Sequence, residues 1–350
     1  MKRESGNMRA LVWEGPREMN LRELPVVQPG PDEVLLRVDA VGICGSELSG
    51  YLGHNSLRKP PLVMGHEFSG TIEAAGEMVE SPAVGERVVV NPLLFCGTCS
   101  ACRRGRFNLC SNRALVGAHR PGAFAEKVIV PAVACQPVPA GMAPAIASLA
   151  EPVACAVRAV RLARVGLGDE LLVLGAGPIG LLSARLAQEA GAAVSITDTN
   201  ASRLAIAKRW GVERTIEADQ SGGSSSLDPA ALRASAPGEG FDAAIDAVGL
   251  AATRKQAIES VRRGGTVVFV GLHGPEVSFD ANEVVRNETV IRGSFAYTPH
   301  DFETACSFLA RGDLPPSESW LSLRSLDEGP ESFRELVDGQ PEVLKIVLQP

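Results

Sequence analysis

The sequence has no excess of basic residues, because its formal net charge is −7 at pH 7. A basic stripe or patch is the usual electrostatic mark of a nucleic-acid-binding protein. The nearest approach to one is the short cluster Arg103, Arg104 and Arg106, which we interpret as part of a solvated loop. The composition therefore argues against a nucleic-acid partner.

Long apolar runs are also missing. The most apolar segment, residues 171–187, contains four Gly or Pro residues and an arginine, and it is too short and interrupted to span a bilayer. The first fifteen residues carry charges but no apolar core, so a secretory signal is not expected. We predict a soluble, cytoplasmic protein without a membrane partner.

Cysteine is sparse, with eight residues in a chain of 350, which is too few for a disulfide scaffold. Four of them nevertheless lie close together, at Cys96, Cys99, Cys102 and Cys110. Clustered thiols in a reducing compartment favour metal binding, and four thiolates suit a closed tetrahedral zinc site that leaves no position for substrate. An iron–sulfur cluster is the alternative. We predict a structural zinc here and look elsewhere for the chemistry.

The chain changes character along its length. Residues 8–155 contain short alternating apolar runs broken by Gly and Pro, as in EVLLRVDAV and ERVVVNP, which predicts a β-rich domain. From about residue 168, strands and helices alternate, which predicts a doubly wound parallel sheet of α/β class. The predicted strands are 171–175, 193–198, 241–249 and 266–272; the predicted helices are 178–191, 202–211 and 251–263; and a closing strand is predicted at 342–350.

The segment GAGPIG, residues 175–180, fits the pattern G-x-G-x-x-G. It follows an apolar strand and opens a helix, which is the context of a dinucleotide site. Gly175 permits the tight turn, Gly177 lets the backbone approach a pyrophosphate, and Gly180 allows close packing of helix on strand. Asp198 ends the next strand, where an acid accepts hydrogen bonds from the ribose and disfavours a 2′-phosphate. NAD is therefore favoured over NADP, although the nearby Arg203 could serve a phosphate.

Cys44 lies in the Gly-flanked turn GICGSE, and His66 and Glu67 follow Gly65. A thiolate, an imidazole and a carboxylate would form the mixed donor set of a catalytic zinc with an open fourth position. Periodicity does not show that these residues converge.

These motifs resemble the zinc-dependent medium-chain alcohol dehydrogenases. The pattern Gly65-His66-Glu67-x2-Gly70-x5-Gly76-x2-Val79, the segment GICGS, the four-cysteine lobe and GAGPIG occur in that family's order. EPVACAVRAV at 151–160 and TDTNASRL at 197–204 resemble the sorbitol/polyol branch. The resemblance implies a GroES-like β-rich catalytic domain from residues 1–155 and 297–350, with a Rossmann dinucleotide domain at 156–296 inserted between them.

The resemblance also implies two zinc ions per chain. The catalytic ion would be held by Cys44 and His66, with Glu67 or Glu151 completing the set, and which glutamate binds directly is left open. The structural ion would be held by Cys96, Cys99, Cys102 and Cys110. The residues assigned to NAD are Gly175, Gly177, Pro178, Ile179, Gly180, Asp198, Arg203, Val248, Val270, Gly271, Leu272, Ser294 and Phe295.

In this family zinc acts as a Lewis acid on the alcohol oxygen and hydride passes to the nicotinamide. Ser46 matches the hydroxyl that accepts the alcohol proton. The chain departs from many relatives by placing Ser49 where they have a relay histidine, and His54 is the nearest substitute; the cofactor ribose or water could also relay the proton. Ala296 stands where polyol dehydrogenases have an arginine, which argues against sorbitol itself.

We therefore predict an NAD-dependent, zinc-dependent enzyme that reversibly oxidises a secondary alcohol, namely a polyol or sugar alcohol, and forms a homo-oligomer, either a dimer or a tetramer. One alternative is an amino-alcohol substrate, as in threonine dehydrogenases. The zinc-free quinone reductases of the same superfamily are disfavoured because both metal sets are present. A non-catalytic NAD-binding regulator would keep only the structural zinc.

Overall fold

The computed structural model describes residues 6–139, 141–218, 227–315, 319–339 and 343–350. Its strands are β1 (Asn7–Gly15), β2 (Glu18–Pro25), β3 (Glu33–Gly42), β4 (Leu62–Val63), β5 (Glu67–Ala75), β6 (Arg87–Val90), β7 (Leu93–Leu94), β8 (Ala114–Leu115), β9 (Lys127–Pro131), β10 (Cys135–Pro137), β11 (Glu170–Leu174), β12 (Ala193–Asp198), β13 (Arg214–Glu217), β14 (Phe241–Asp246), β15 (Val261–Phe269), β16 (Val290–Gly293), β17 (Leu321–Ser325) and β18 (Lys345–Gln349).

Its α-helices are α1 (Gly45–Tyr51), α2 (Pro144–Ala147), α3 (Ala150–Ala163), α4 (Pro178–Glu189), α5 (Ala201–Arg209), α6 (Pro229–Ala234), α7 (Ala251–Ser260), α8 (Ala281–Arg286), α9 (Pro299–Arg311) and α10 (Gly329–Asp338). Short 3-10 turns lie at Cys102–Arg104, Phe107–Leu109, Ala132–Ala134 and Leu326–Glu328. None of the described helices is long and apolar enough to cross a membrane.

The chain divides into two compact units, the first formed by Met1–Glu151 with Phe302–Pro350 and the second by Pro152–Asp301. The first unit is built on a seven-stranded sheet in the order β10-β6-β5-β3-β18-β17, with β9 paired to β3. A three-stranded sheet, β2-β1-β4, and the small β7–β8 pair complete its β-structure. Its core is apolar and partly aromatic, because Phe124 and Phe333 pack edge to face with ring centroids 5.6 Å apart. The predicted β-rich domain is confirmed.

The second unit contains a six-stranded sheet in the order β13-β12-β11-β14-β15-β16. Every neighbouring pair in it is parallel. The strand order therefore reverses between β11 and β14, which is the switch point at which such sheets bind dinucleotides. Leu172, Leu174 and Ile245 are fully buried, as expected for strands covered on both faces. The predicted doubly wound fold is confirmed.

Several predicted boundaries are wrong, because the strands predicted to end at residues 249 and 272 end at Asp246 and Phe269. The helix predicted to reach residue 263 ends at Ser260, and Val261 already pairs with Phe241 in the sheet. The register then shifts before the ladder resumes at Thr266, and the irregular stretch between contains Gly264 at a φ of 72°. The predicted strand start at 266 is thus the point where regular pairing resumes, not the point where the strand begins.

Candidate metal centre and cofactor site

Strand pairing brings the first candidate metal ligands together. Strands β3 and β5 are antiparallel with Gly42 opposite Glu67. Cys44 lies two residues beyond the end of this ladder on one strand, and His66 lies one residue before it on the other. Ligand atoms of Cys44, His66 and Glu67 all lie within 4.8 Å of one another. The ladder therefore places a sulfur, a nitrogen and an oxygen donor around one point.

This donor set fits zinc. Thiolate, imidazole and carboxylate are the ligands that zinc takes in proteins, and three protein ligands with a free position are typical of catalytic sites. His66 and Glu67 are buried, whereas Cys44 is only partly so. Glu151, in the first turn of α3, is also buried, but it does not belong to the group of three whose ligand atoms lie within 4.8 Å.

Glu47 joins the two halves of this cluster, and the sequence interpretation missed it. Its Oε2 accepts from the backbone N–H of Cys44 at 3.0 Å, and its Oε1 accepts from the N–H of Gly65 at 2.8 Å. Oε1 also lies 2.8 Å from Nδ1 of His66. Because a carboxylate only accepts hydrogen bonds, this contact assigns the proton to Nδ1 and leaves Nε2 to face a metal.

The charges around the cluster are buried and mutually stabilising. Burial by itself lowers the pKa of His66, but the negative charges of Glu47 and Cys44 outweigh it and raise that pKa well above its usual value. Burial likewise opposes ionisation of Glu47, yet His66 and Arg58 hold the pKa of this carboxyl below its usual value. A metal that binds Nε2 therefore has to displace a proton from His66.

Glu67 has a second partner that the sequence interpretation missed. Its Oε2 forms an ion pair with Nζ of Lys345, and both side chains are almost completely buried. Gly42 makes room for this pair, because a Cβ there would lie 2.4 Å from Oε2 of Glu67 and 3.0 Å from Cε of Lys345. Gly42, the first glycine of GICGS, therefore leaves space for a buried ion pair beside the candidate ligands.

Ser46 lies next to the cluster, and its Oγ donates to Sγ of Cys44 at 3.5 Å. His54, the sequence-based substitute for a relay histidine, is exposed, and its backbone N–H bonds the carbonyl of Ser49. The side chain that does contact the Ser46 hydroxyl is Arg58, whose Nη2 donates to Oγ at 3.2 Å.

The four cysteines form the second cluster. Their Sγ atoms all lie within 4.8 Å of one another, and the pairs Cys99–Cys102 and Cys96–Cys110 are 3.5 Å apart. That separation is far longer than a disulfide bond and close to the ~3.8 Å edge of a tetrahedron with zinc–sulfur bonds of ~2.3 Å. The four cysteines therefore fit a closed zinc site.

Backbone groups already favour thiolates in this lobe. The backbone N–H groups of Cys102 and Ser111 lower the pKa of Cys99 to about 5. Those of Thr98 and Cys99 lower the pKa of Cys96 to about 7. Burial instead raises the pKa of Cys102 to about 12. The fold of the lobe therefore favours the thiolate, which is the form that binds metals, at Cys99 and Cys96 but not at Cys102.

The nucleotide loop has the backbone that its glycines require. Gly175 has a φ of +96°, and a Cβ on Gly180 would lie only 1.8 Å from the carbonyl oxygen of Gly175. Gly177 faces open space, because a Cβ added to it would meet no atom within 4 Å, and it caps α4 just before Pro178 and Ile179. The start of α4 therefore approaches β11 closely and leaves its free N–H groups accessible to a phosphate.

Asp198 ends β12 beside this loop. Its Oδ2 accepts from the N–H of Ala176 at 2.7 Å and its Oδ1 from the N–H of Asn200 at 2.8 Å. Nη1 of Arg203 lies 3.9 Å from Oδ2. The structure thus places Asp198 and Arg203 together at the end of β12, beside the glycine loop.

The remaining residues assigned to the cofactor cluster at the carboxyl ends of β14, β15 and β16. Gly271 approaches Val248 and Gly249 so closely that a Cβ on it would lie 2.2 Å from the carbonyl carbon of Val248. Val270 bonds Asp246 through its N–H. Leu272 and Phe295 are exposed, and among the described residues the buried Oγ of Ser294 has no hydrogen-bond partner.

The residues that the sequence interpretation missed left weak signals. Glu47 is three residues after Cys44, as in a helix capping box, and Lys345 is a single charge within the otherwise apolar run VLKIVL. Arg58 stands in an unremarkable polar segment, and nothing in the sequence indicates its contact with Ser46.

Comparison with known proteins identifies the family. The model for the alcohol dehydrogenase GroES-like domain matches residues 30–140, and the model for zinc-binding dehydrogenases matches residues 178–311. The chain is 36% identical to L-galactonate-5-dehydrogenase of Escherichia coli K12 over 309 residues, which is 88% of each chain. It is 32% identical to sorbitol dehydrogenase of Halalkalibacterium halodurans over 350 residues, covering 98% of this chain and 99% of the relative. It is also 32% identical to L-threonine 3-dehydrogenase of Rhizobium rhizogenes, covering 96% and 97%.

Solved structures agree. A zinc-binding dehydrogenase from Sinorhizobium meliloti 1021 bound to NADP superposes with a TM-score of 0.89 at 32% identity, covering 99% of this chain and 100% of that one. An alcohol dehydrogenase from Escherichia coli CFT073 complexed with NADH gives the same TM-score at 28% identity and the same coverage. The chain belongs to the zinc-dependent medium-chain alcohol dehydrogenase family, in its polyol branch. The predicted family and enzyme class are confirmed.

Proposed function

We propose that this protein reversibly oxidises a secondary alcohol of a polyol or sugar alcohol to the ketone, with NAD as the hydride acceptor. The observation that carries the proposal is the convergence of Cys44, His66 and Glu67 beside the Ser46 hydroxyl. Relatives named sorbitol dehydrogenase and L-galactonate-5-dehydrogenase support a polyhydroxylated substrate.

We further propose that the domain limits and site residues follow the sequence prediction. Residues 1–155 with 297–350 would form the catalytic domain, and 156–296 the NAD domain, limits that differ by a few residues from those of the two compact units. The catalytic zinc would bind Cys44, His66 and Glu67, with Glu151 acting at another stage of the reaction. The four cysteines would hold the structural zinc, and the Gly175–Gly180 loop with Asp198 would hold NAD. Asp198 supports NAD because its carboxylate would repel a 2′-phosphate.

When bound, the zinc would supply Lewis-acid polarisation of the alcohol oxygen, and NAD would accept hydride from the carbinol carbon. The protein's own contribution is positioning and proton transfer. Ser46 accepts the hydroxyl proton as the C–H bond breaks and passes its own hydroxyl proton to water or the cofactor ribose. The alcohol thereby loses a hydride and a proton and becomes a ketone. Glu47 holds His66 and the backbone of Cys44 in place, and Lys345 holds Glu67.

Oxidation of L-threonine is the second candidate, favoured by the 32% identity to L-threonine 3-dehydrogenase over nearly the whole chain. The two candidates share the metal and cofactor residues and differ only in the substrate. Steady-state rates with both substrate classes separate them directly.

A cytoplasmic location and a homo-oligomeric assembly, either dimer or tetramer, complete the proposal. Reduced, metal-bound cysteines suit a reducing compartment. Size-exclusion chromatography with light scattering would give the number of chains.

The test is NADH formation by purified protein across polyols, sugar-alcohol phosphates, L-galactonate, L-threonine and simple secondary alcohols, with and without a zinc chelator. Chelator-sensitive turnover of one polyol class would support the proposal and name the substrate. Faster turnover of threonine than of every polyol would favour the second candidate. A protein that holds one zinc per chain and turns over nothing would be a non-catalytic NAD-binding regulator.

A further inference from the structure

Arg58 is buried beside the candidate metal centre, where the charge of Glu47 acts on it only from beyond ion-pair distance. It is only 4% exposed, and among the described residues no carboxylate oxygen lies within 4.0 Å of its guanidinium group. Burying a charge is costly unless hydrogen bonds compensate. The residues that this guanidinium contacts must therefore compensate for its burial.

The Arg58 guanidinium forms two hydrogen bonds, and both go to Ser46. Nη1 donates to the carbonyl oxygen at 3.1 Å, and Nη2 donates to Oγ at 3.2 Å. The planar guanidinium thus bridges the main chain and the side chain of the same serine, which fixes the side-chain torsion of Ser46 as well as its position. The Ser46 hydroxyl in turn donates to Sγ of Cys44 at 3.5 Å.

The surrounding backbone is shaped to admit this side chain. A Cβ on Gly50 would lie 2.7 Å from Cδ of Arg58, so the glycine one turn after Ser46 in α1 leaves the path that the arginine stem follows. The buried Nε has no hydrogen-bond partner among the described residues. The side-chain hydrogen bonds that hold the guanidinium are therefore the two to Ser46.

We propose that Arg58 is a positioning residue for the reaction: it holds the Ser46 hydroxyl in the orientation that receives the alcohol proton. The proposal rests on the function proposed above. Arginine stays protonated and cannot accept a proton, so Arg58 is not a relay base. By filling one lone pair of Oγ, it leaves the other lone pair for the alcohol proton, and the proton that Ser46 releases must leave through water or the cofactor ribose.

The test is a double-mutant cycle between Arg58→Gln and Ser46→Ala, measured as kcat and KM for the best substrate. Ser46→Ala should lower kcat about 100-fold, as expected for loss of a proton-transfer group. Arg58→Gln should lower kcat about 10-fold through misplacement of that group, with little change in the KM for NAD. In the Ser46→Ala background, Arg58→Gln should have no further effect, because coupled residues are not additive.

Three further measurements separate positioning from general destabilisation. Arg58→Lys keeps a charged donor and should therefore have a higher kcat than Arg58→Gln. It replaces Arg58→Gln as the test variant if the latter does not fold. The solvent deuterium isotope effect on kcat should rise in Arg58→Gln. Arg120→Gln is the matched control, because Arg120 also bonds a carbonyl, that of Ile129, but it pairs with Glu33 away from the cluster; this variant should keep its kcat.

A crystal structure of Arg58→Gln gives a readout that does not depend on turnover. We expect the Ser46 side chain to occupy one rotamer in the wild type and to move or split in the variant, with two zinc ions still bound. An unchanged Ser46 rotamer in Arg58→Gln would overturn the proposal. So would a loss of kcat on Arg58→Gln that is equally large in the wild type and in the Ser46→Ala background. Failure of the wild type to turn over any substrate would instead overturn the proposed function.

Discussion

The two candidate metal clusters lie in the same compact unit and are built in opposite ways. Cys44, His66 and Glu67 come from two chain segments that a strand ladder brings together, and their partners are the buried charges Glu47 and Lys345. The four cysteines come from one stretch of fifteen residues, and backbone N–H groups are the main partners of Cys96 and Cys99. The first cluster is a product of tertiary structure, whereas the second is a product of local structure.

This difference teaches what each cluster can do. Buried charges beside the first cluster fix the orientation and protonation of its ligands, as catalysis requires. Local turns around the second cluster bring four thiols together and leave no free position, as a structural metal requires. Substitutions in the two clusters should therefore separate turnover from stability.

The largest effect on turnover is expected from His66→Ala. Removing the imidazole removes a ligand of the catalytic site, and the loss of Lewis-acid stabilisation should lower kcat/KM by about 1,000-fold or more. Zinc content should fall from two ions to one per chain by elemental analysis, while the unfolding temperature changes little. Retained turnover, or loss of both ions, would contradict the separation of the two clusters.

Cys99→Ser should give the opposite pattern. Loss of one thiolate should release the structural zinc and lower the free energy of unfolding by about 3 kcal/mol or more, because metal binding is linked to folding. Turnover per folded molecule that carries the catalytic zinc should stay within about twofold of the wild-type value. Chemical denaturation and active-site titration together measure both quantities; a selective loss of turnover in a stable protein would refute the structural role.

Lys345→Met tests the buried ion pair. It leaves Glu67 buried without its cation, which should cost about 3–5 kcal/mol of unfolding free energy. The double variant Lys345→Met with Glu67→Gln should recover most of that loss, because no charge is left unpaired. The control is Arg103→Ala in the cysteine lobe, whose exposed guanidinium bonds the carbonyl of Thr98; it should change stability by less than about 0.5 kcal/mol.

Glu47→Gln should have the smallest effect of the series. Glutamine keeps the size of the side chain but removes the negative charge that orients and polarises His66, and such partners are typically worth about 10–100-fold in metal affinity or activity. Zinc affinity measured by competition with a chelator should fall in that range, and the affinity of the cysteine lobe should not change. Equal weakening of both sites would show a global effect instead.

Much of the fold could be predicted because its signals are local. Apolar runs, Gly191 and the GAGPIG loop mark β11, α4 and β12 to within a few residues. The boundary between α7 and β15 was missed because Val261 is fixed by its pairing with Phe241, a contact distant in sequence. Helices α9 and α10 were not predicted because the alternation with strands fades after residue 297.

The site could be predicted only in part, because several of its contacts join residues that are distant in sequence. Residue types and spacing indicated Cys44, His66 and the four cysteines, and the roles assigned to them stay predictions. Glu47, Arg58 and Lys345 were missed because the sequence signals of two of them, a capping-box spacing at Glu47 and a single charge in the apolar run around Lys345, are weak, and Arg58 leaves none. Their contacts arise from the β3–β5 pairing, the path beside Gly50 and the last strand of the chain.

The pairing of Gly42 with Glu67 has a consequence for assembly of the protein. A strand advances about 3.4 Å per residue, so a slip of two residues between β3 and β5 would keep each side chain on its own face. Such a slip would nevertheless carry Cys44 and His66 about 7 Å apart. A metal ion that bridges Cys44 and His66 would bind only the observed register, so metal binding would stabilise this alignment of β3 and β5 over the slipped one.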